Sequence, residues 1–164
     1  MLLGVFLLCP MLSAAEDWGA LQYLVGNWIA EGGGTPGQGA GSFSFTPELQ
    51  GKILVRKNRA EYPPSKDKPA TAHDDLMVIF READADSEGA MRAIYFDSEG
   101  HVIRYLVTMF GDRIVFTSEP VRGAPQYRFT YLRDSGSELR LKFEIAPPGK
   151  GFVTYVEGTA KRTR

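Results

Sequence analysis

Gln126-Tyr127-Arg128-Phe129-Thr130-Tyr131-Leu132-Arg133 is followed by Asp134-Ser135-Gly136-Ser137 and then Glu138-Leu139-Arg140-Leu141-Lys142-Phe143-Glu144-Ile145. Side chains on a strand point alternately to its two faces. Tyr127, Phe129 and Tyr131 therefore share one face, and Arg128, Thr130 and Leu132 the other. Leu139, Leu141, Phe143 and Ile145 alternate with Arg140, Lys142 and Glu144 in the same way. Two half-buried strands joined by a short polar turn are antiparallel neighbours.

The same period of two extends over nearly the whole chain. Strands are predicted at 26–32, 41–47, 52–61, 74–82, 90–97, 101–109, 113–118, 126–133, 138–145 and 151–162. Turn residues separate them, among them Ser98-Glu99-Gly100, Gly111-Asp112 and Pro147-Pro148-Gly149. Only residues 16–24 show helical spacing, through Trp18, Leu21, Gln22 and Val25, with Gly26 ending the run. The expected fold is all-β: one antiparallel up-and-down barrel of about ten strands with a short N-terminal capping helix. Closure removes the exposed edges that a long meander would otherwise leave. A two-sheet sandwich fits the same pattern.

In an up-and-down barrel, connections alternate between two rims. Segments 32–41 and 62–72, the longest, fall on one rim with the 98–100 turn. Segments 47–51, 83–89, 110–112 and 133–137 fall on the other, together with the start of strand one and the end of strand ten. This predicts an open mouth on the long-loop side and a plugged floor opposite.

The chain has 164 residues with 19 basic and 20 acidic side chains. One domain is expected at that length, and the balanced charge excludes the basic footprint of a nucleic-acid binder. Met1 to Ala15 contains no charge; Leu2 to Leu12 is apolar apart from Gly4 and Pro10, and Leu12-Ser13-Ala14-Ala15 supplies small residues. We read 1–15 as a secretory signal peptide and 16–164 as the barrel domain, exported to the periplasm or outside the cell. The single cysteine, Cys9, leaves with the signal. The mature chain then has no disulfide, and it has no apolar run long enough to span a membrane.

Leu24-Val25-Gly26-Asn27-Trp28 resembles the first-strand Gly-x-Trp motif of the calycin superfamily, which includes lipocalins, fatty-acid-binding proteins and nitrobindin-like barrels. Tyr95-Phe96-Asp97-Ser98-Glu99-Gly100, and Tyr155 with Arg162, resemble further motifs of uncharacterised exported bacterial lipocalin-like proteins. The resemblance implies that Trp28, with Gly26 beside it, closes the barrel floor. It also implies that a basic residue of the last strand packs on the indole: Arg162 first, Lys161 second. Nitrobindin-like proteins bind haem through a histidine close to the C-terminus. This chain has no histidine after His101, so no haem or other cofactor is expected.

Few residues suggest chemistry. His73 and His101 are predicted at the mouth rim near Asp74, Asp75, Asp97 and Glu99, but no spacing brings three metal ligands together, and no metal is assigned. Asp84-Ala85-Asp86-Ser87-Glu88-Gly89 lacks the glutamate and helices of a calcium loop and reads as an acidic turn. Gly37-x-Gly39-x-Gly41 opens onto a strand, not a helix, so it is no phosphate cradle. There is no Gly-x-Ser-x-Gly elbow, and no catalytic residue is assigned.

The barrel interior remains. Tyr127, Phe129 and Tyr131 are expected to point inward, as are Ile103, Tyr105, Val107 and Met109. In strand five the choice between Met91, Ala93, Tyr95 and Arg92, Ile94, Phe96 stays open. The expected ligand-binding set is Arg92, Tyr95, Tyr105, Met109, Tyr127, Phe129 and Tyr131, around a small apolar or amphipathic, lipid-like molecule. Two alternatives stand: a cavity isomerase or hydrolase using carboxylates, tyrosine or His101, and a protein-interaction module with a solid core.

Overall fold

The computed structural model describes residues 18–32, 40–64, 66, 69–82 and 89–163. A 3-10 helix, Gly19–Leu24, leads into ten strands: β1 (Gly26–Gly32), β2 (Ala40–Glu48), β3 (Ile53–Tyr62), β4 (Thr71–Arg81), β5 (Met91–Asp97), β6 (Val102–Phe110), β7 (Arg113–Ser118), β8 (Gln126–Arg133), β9 (Glu138–Ala146) and β10 (Val153–Arg162). Each strand pairs antiparallel with its sequence neighbours, and β1 pairs with β10 to close the barrel. The sandwich is thereby excluded. The proposed signal peptide with Cys9, the Gly-rich segment 33–39 and the acidic turn 83–88 lie outside the described residues.

Two strand boundaries differ from expectation in ways that matter. β4 begins at Thr71, so His73 belongs to the strand instead of preceding it. It pairs with Ala60 across the β3–β4 ladder. β10 begins at Val153, and its register against β9 shifts between Thr154 and Val156. That extra residue, Tyr155, is unpaired in the ladder, as a β-bulge requires.

The floor is built by the first and last segments. Leu21, Leu24 and Trp18 of the 3-10 segment are buried beneath the barrel. Trp28 is fully buried, stacks 6.1 Å from Phe43, and donates its indole N–H to the Leu24 carbonyl at 2.8 Å. Arg162 pairs with Trp28 in the β1–β10 register and lays its guanidinium 4.3 Å from the indole centroid. Its two terminal nitrogens donate to the carbonyls of Val25 and Tyr23. Lys161 is exposed on the opposite face. Gly26 adopts φ +122°, and a Cβ there would lie 2.8 Å from Arg162 Nη1, so a side chain would displace the arginine.

Above Trp28 the core continues through Phe45, Phe116 and Tyr131, whose rings meet edge to face at 5.5–6.0 Å. Buried tyrosine and phenylalanine thus pack the lower barrel beneath its middle.

On the outer wall, Glu144 accepts two bonds from Arg128, at 2.7 and 2.9 Å, and Arg128 also covers Phe152 at 4.2 Å. The Arg128 bonds hold the Glu144 carboxyl below its ordinary value of 4.5, against the opposing effect of burial. A depressed carboxylate stabilises the fold above its unfolded pKa and loses that contribution as pH falls through the folded value. Thermal stability should therefore fall as pH drops below about 4.5, and Glu144→Gln should flatten that decline in a melting series from pH 7 to 3. An unchanged slope would show that the pair does not govern acid stability.

Candidate functional site at the barrel mouth

Positions 54, 56, 58, 60 and 62 of β3 face inward, and so do 73, 75 and 77 of β4. Strand alternation therefore brings Arg56, Asn58, His73 and Asp75 into the barrel with Leu54, Ala60 and Met77. On the opposite wall β8 and β9 supply Tyr127, Phe129, Leu141 and Phe143. Between these walls lies a cavity of about 500 Å³, reaching the mouth rim at Tyr62, Glu99 and His101. One wall is polar and the other aromatic. Tyr127 and Phe143 stack in parallel at 6.0 Å, and the bulged Tyr155 meets Phe143 edge-on.

Arg56 forms the base of the polar wall. It is 7% exposed, paired with Asp75, and sandwiched 5.6 Å from both the Phe43 and Phe129 centroids. Asn58 donates to the second Asp75 oxygen at 2.8 Å. Burial opposes the Arg56 charge, but Tyr131 and Asp75 beside it push its pKa above the ordinary arginine value, so it stays cationic. A charge at this depth persists because its partner shares the burial.

Nearer the mouth, His73 Nε2 is 3.0 Å from the Tyr95 hydroxyl, and Nδ1 is 3.2 Å from Glu99 Oε1. Burial and then Asp75 push the Tyr95 hydroxyl well above the usual tyrosine range. It stays protonated at neutral pH. Asp97, at the end of β5, accepts the backbone N–H groups of Glu99 and His101 and sits 2.8 Å from His101 Nδ1. Although burial works to raise its pKa, the bonds from His101 and Glu99 hold it below the ordinary carboxylate value.

The sequence-derived candidates separate into three groups. Tyr95, Tyr105, Tyr127 and Phe129 line the cavity. Tyr131 and Met109 do not line it. Tyr131 points inward but is fully buried in the floor layer, 4.7 Å from Phe129. Met109 has the inward parity of Tyr105 but stands at the floor end of β6, one residue from the Phe110–Gly111 turn, and is part exposed. Arg92 is on the outside. Register places Met91, Ala93 and Tyr95 inward, and Arg92 bonds Glu82 and Glu119 on the outer wall.

Arg56 and Asn58 were not singled out from sequence, and Asp75 was named there only as one of the acids near the rim histidines. Leu54-Val55-Arg56-Lys57-Asn58-Arg59 reads as an ordinary strand with a polar solvent face. The signal is present only across the hairpin: pairing Asn58 with Asp75 puts the acid on the arginine's face. The expectation that no spacing assembles three metal ligands also fails. Asp75 pairs with Asp97 across β4 and β5, so His73 overhangs the β5–β6 turn. His73, Asp97 and Glu99 each bring a ligand-capable atom within 4.8 Å of the others.

A second hollow, about 640 Å³, lies under the floor between the 3-10 segment and the β6–β7 turn. Its Arg162 is already committed to backbone carbonyls, and Arg133 lies over the Tyr23 ring at 4.3 Å. No helix among the described residues is long and apolar enough to cross a membrane.

The sequence matches no protein-family model and no curated protein. Its fold is similar to that of Rv2717c from M. tuberculosis, in a crystal structure with TM-score 0.59 and 16% identity, covering 88% of this chain and 98% of the other. At that identity the likeness is one of fold alone.

Proposed function

We propose that this barrel binds one small molecule with an apolar body and a neutral or cationic polar end. The observation that carries the reading is the divided cavity: aromatic Tyr127, Phe129 and Phe143 face a polar wall of Arg56, Asn58, His73 and Asp75 across about 500 Å³. That volume is within the range of small-molecule sites. The hollow interior also argues against the interaction module, which needed a solid core.

Charge decides the polar end. The charged groups lining the cavity are Arg56 against Asp75, Asp97 and Glu99. Arg56 is already neutralised by Asp75. A fatty-acid carboxylate would find its arginine already paired and two further carboxylates, Asp97 and Glu99, nearby. Neutral N-phenyl-1-naphthylamine should therefore bind with saturable fluorescence enhancement. Its anionic relative 1-anilinonaphthalene-8-sulfonate should bind roughly tenfold more weakly or worse, about 1.4 kcal/mol. Tighter binding of the sulfonate would overturn the assignment of the polar end.

A second reading, proton-transfer catalysis, is favoured by the Glu99–His73–Tyr95 chain opening into the cavity. The high pKa of Tyr95 makes it a donor and not a base in such a scheme. Binding is the better-supported reading because it uses both walls.

The proposal includes export. The uncharged apolar run Leu2 to Leu12 before Ser13-Ala14-Ala15 supports it. N-terminal sequencing of the protein from its source should begin near Glu16, and an intact Met1 would contradict it.

A further inference from the structure

At the mouth rim, three of the residues lining the cavity also form a set of metal-ligand donors. We propose that His73, Asp97 and Glu99 form a binding site for a divalent transition-metal ion, with zinc the best match. The inference stands independently of what fills the cavity.

Geometry is the first argument. The three ligand-capable atoms lie within 4.8 Å of one another, and His73 Nδ1 and Glu99 Oε1 are already 3.2 Å apart. Neighbouring ligands around a metal with bonds of about 2.0–2.1 Å are separated by roughly 3–3.5 Å. Little movement separates the pair from a coordination edge. One imidazole and two carboxylates suit zinc, whereas magnesium and calcium prefer oxygen alone.

The surroundings are the second argument. A metal-bound histidine usually directs its other ring nitrogen to an outer partner. His73 Nε2 has one at hydrogen-bond distance, the Tyr95 hydroxyl at 3.0 Å, with Asp75 Oδ2 farther off at 3.8 Å. Nδ1 is thus the nitrogen left for the ion. Asp97 is steadied by His101, whose Nδ1 lies 2.8 Å from Oδ2. The lining carries two more carboxylates than arginines, so a dication would balance the mouth. On binding, His73 takes the tautomer with its proton on Nε2, which donates to the Tyr95 oxygen; any second ring proton passes to solvent, and the Nδ1 lone pair takes the metal. Three protein ligands leave a position for water or for the polar end of a cavity ligand.

The test uses tag-free, metal-stripped protein titrated with zinc chloride by calorimetry and with cobalt(II) by visible absorption. The expected result is one ion per chain. Outer-shell losses alone cost zinc sites about 10–100-fold in affinity. Glu99→Gln and His73→Gln should each weaken binding by at least that much and diminish the cobalt bands. Glu99 is largely exposed on a turn, so Glu99→Gln should leave the metal-free melting temperature unchanged and isolate the ligand effect from folding. Absence of stoichiometric binding to the wild type, or binding that either variant leaves unchanged, overturns the proposal.

Discussion

Arg56→Met should destabilise the barrel by about 3–5 kcal/mol, because it strands a buried charge. Asp75 is 6% exposed and would keep only the Asn58 amide as a close donor. The methionine would still pack between Phe43 and Phe129, so the loss reports the unpaired carboxylate and not a void. The double variant Arg56→Met with Asp75→Leu should recover most of the loss, since apolar replacement of a buried ion pair is often neutral or stabilising. Urea unfolding of the two single variants and the double variant gives the coupling directly. A single Arg56→Met cost below about 1 kcal/mol, the range of exposed pairs, would show that the pair is hydrated and that the polar wall is not the buried element described above.

Trp28→Ala should cost a similar amount, about 3–5 kcal/mol for a large aromatic in a core. Three losses coincide there. The Phe43 ring loses its stacking partner, the Leu24 carbonyl loses the indole donor, and Arg162 loses the face it covers. Since domains are stable by only about 5–15 kcal/mol, the variant should lose a large share of its stability. Tyr155→Ala makes the contrast. That ring is half exposed at the mouth, and its removal should move stability little while enlarging the cavity entrance. Equal costs for the two would mean that the floor is not the packed end of the barrel.

The architecture was legible because period-two alternation repeats in nearly every segment and because short turns force neighbours to pair. The floor was legible through Gly26, Trp28 and the basic end of the chain, which the up-and-down topology brings to one rim. What alternation cannot reveal is height along the barrel axis. Met109 and Tyr131 have the same inward parity as Tyr105 and Phe129, yet the first reaches the rim of the floor and the second fills it. Parity also cannot rank two faces that each carry apolar residues, which is why strand five was ambiguous and Arg92 was a candidate for the interior. The interior arginine was Arg56, whose neighbours Lys57 and Arg59 make its strand look solvated. Its burial depends on Asp75, which is 19 residues away in sequence. The metal-ligand cluster was hidden for a related reason: starting β4 three residues late removes His73 from the strand that carries it over Glu99.

The central claim is that the upper barrel is a hollow that takes a small molecule. Ala60 points into that hollow from β3, midway between Asn58 and Tyr62. Ala60→Trp would fill the space without touching the floor. Fluorescence titration with N-phenyl-1-naphthylamine should give one saturable site per chain in the wild type and none in Ala60→Trp, with both proteins retaining the same strand signal by circular dichroism. Equal binding by the two, or no binding by the wild type, would contradict the account.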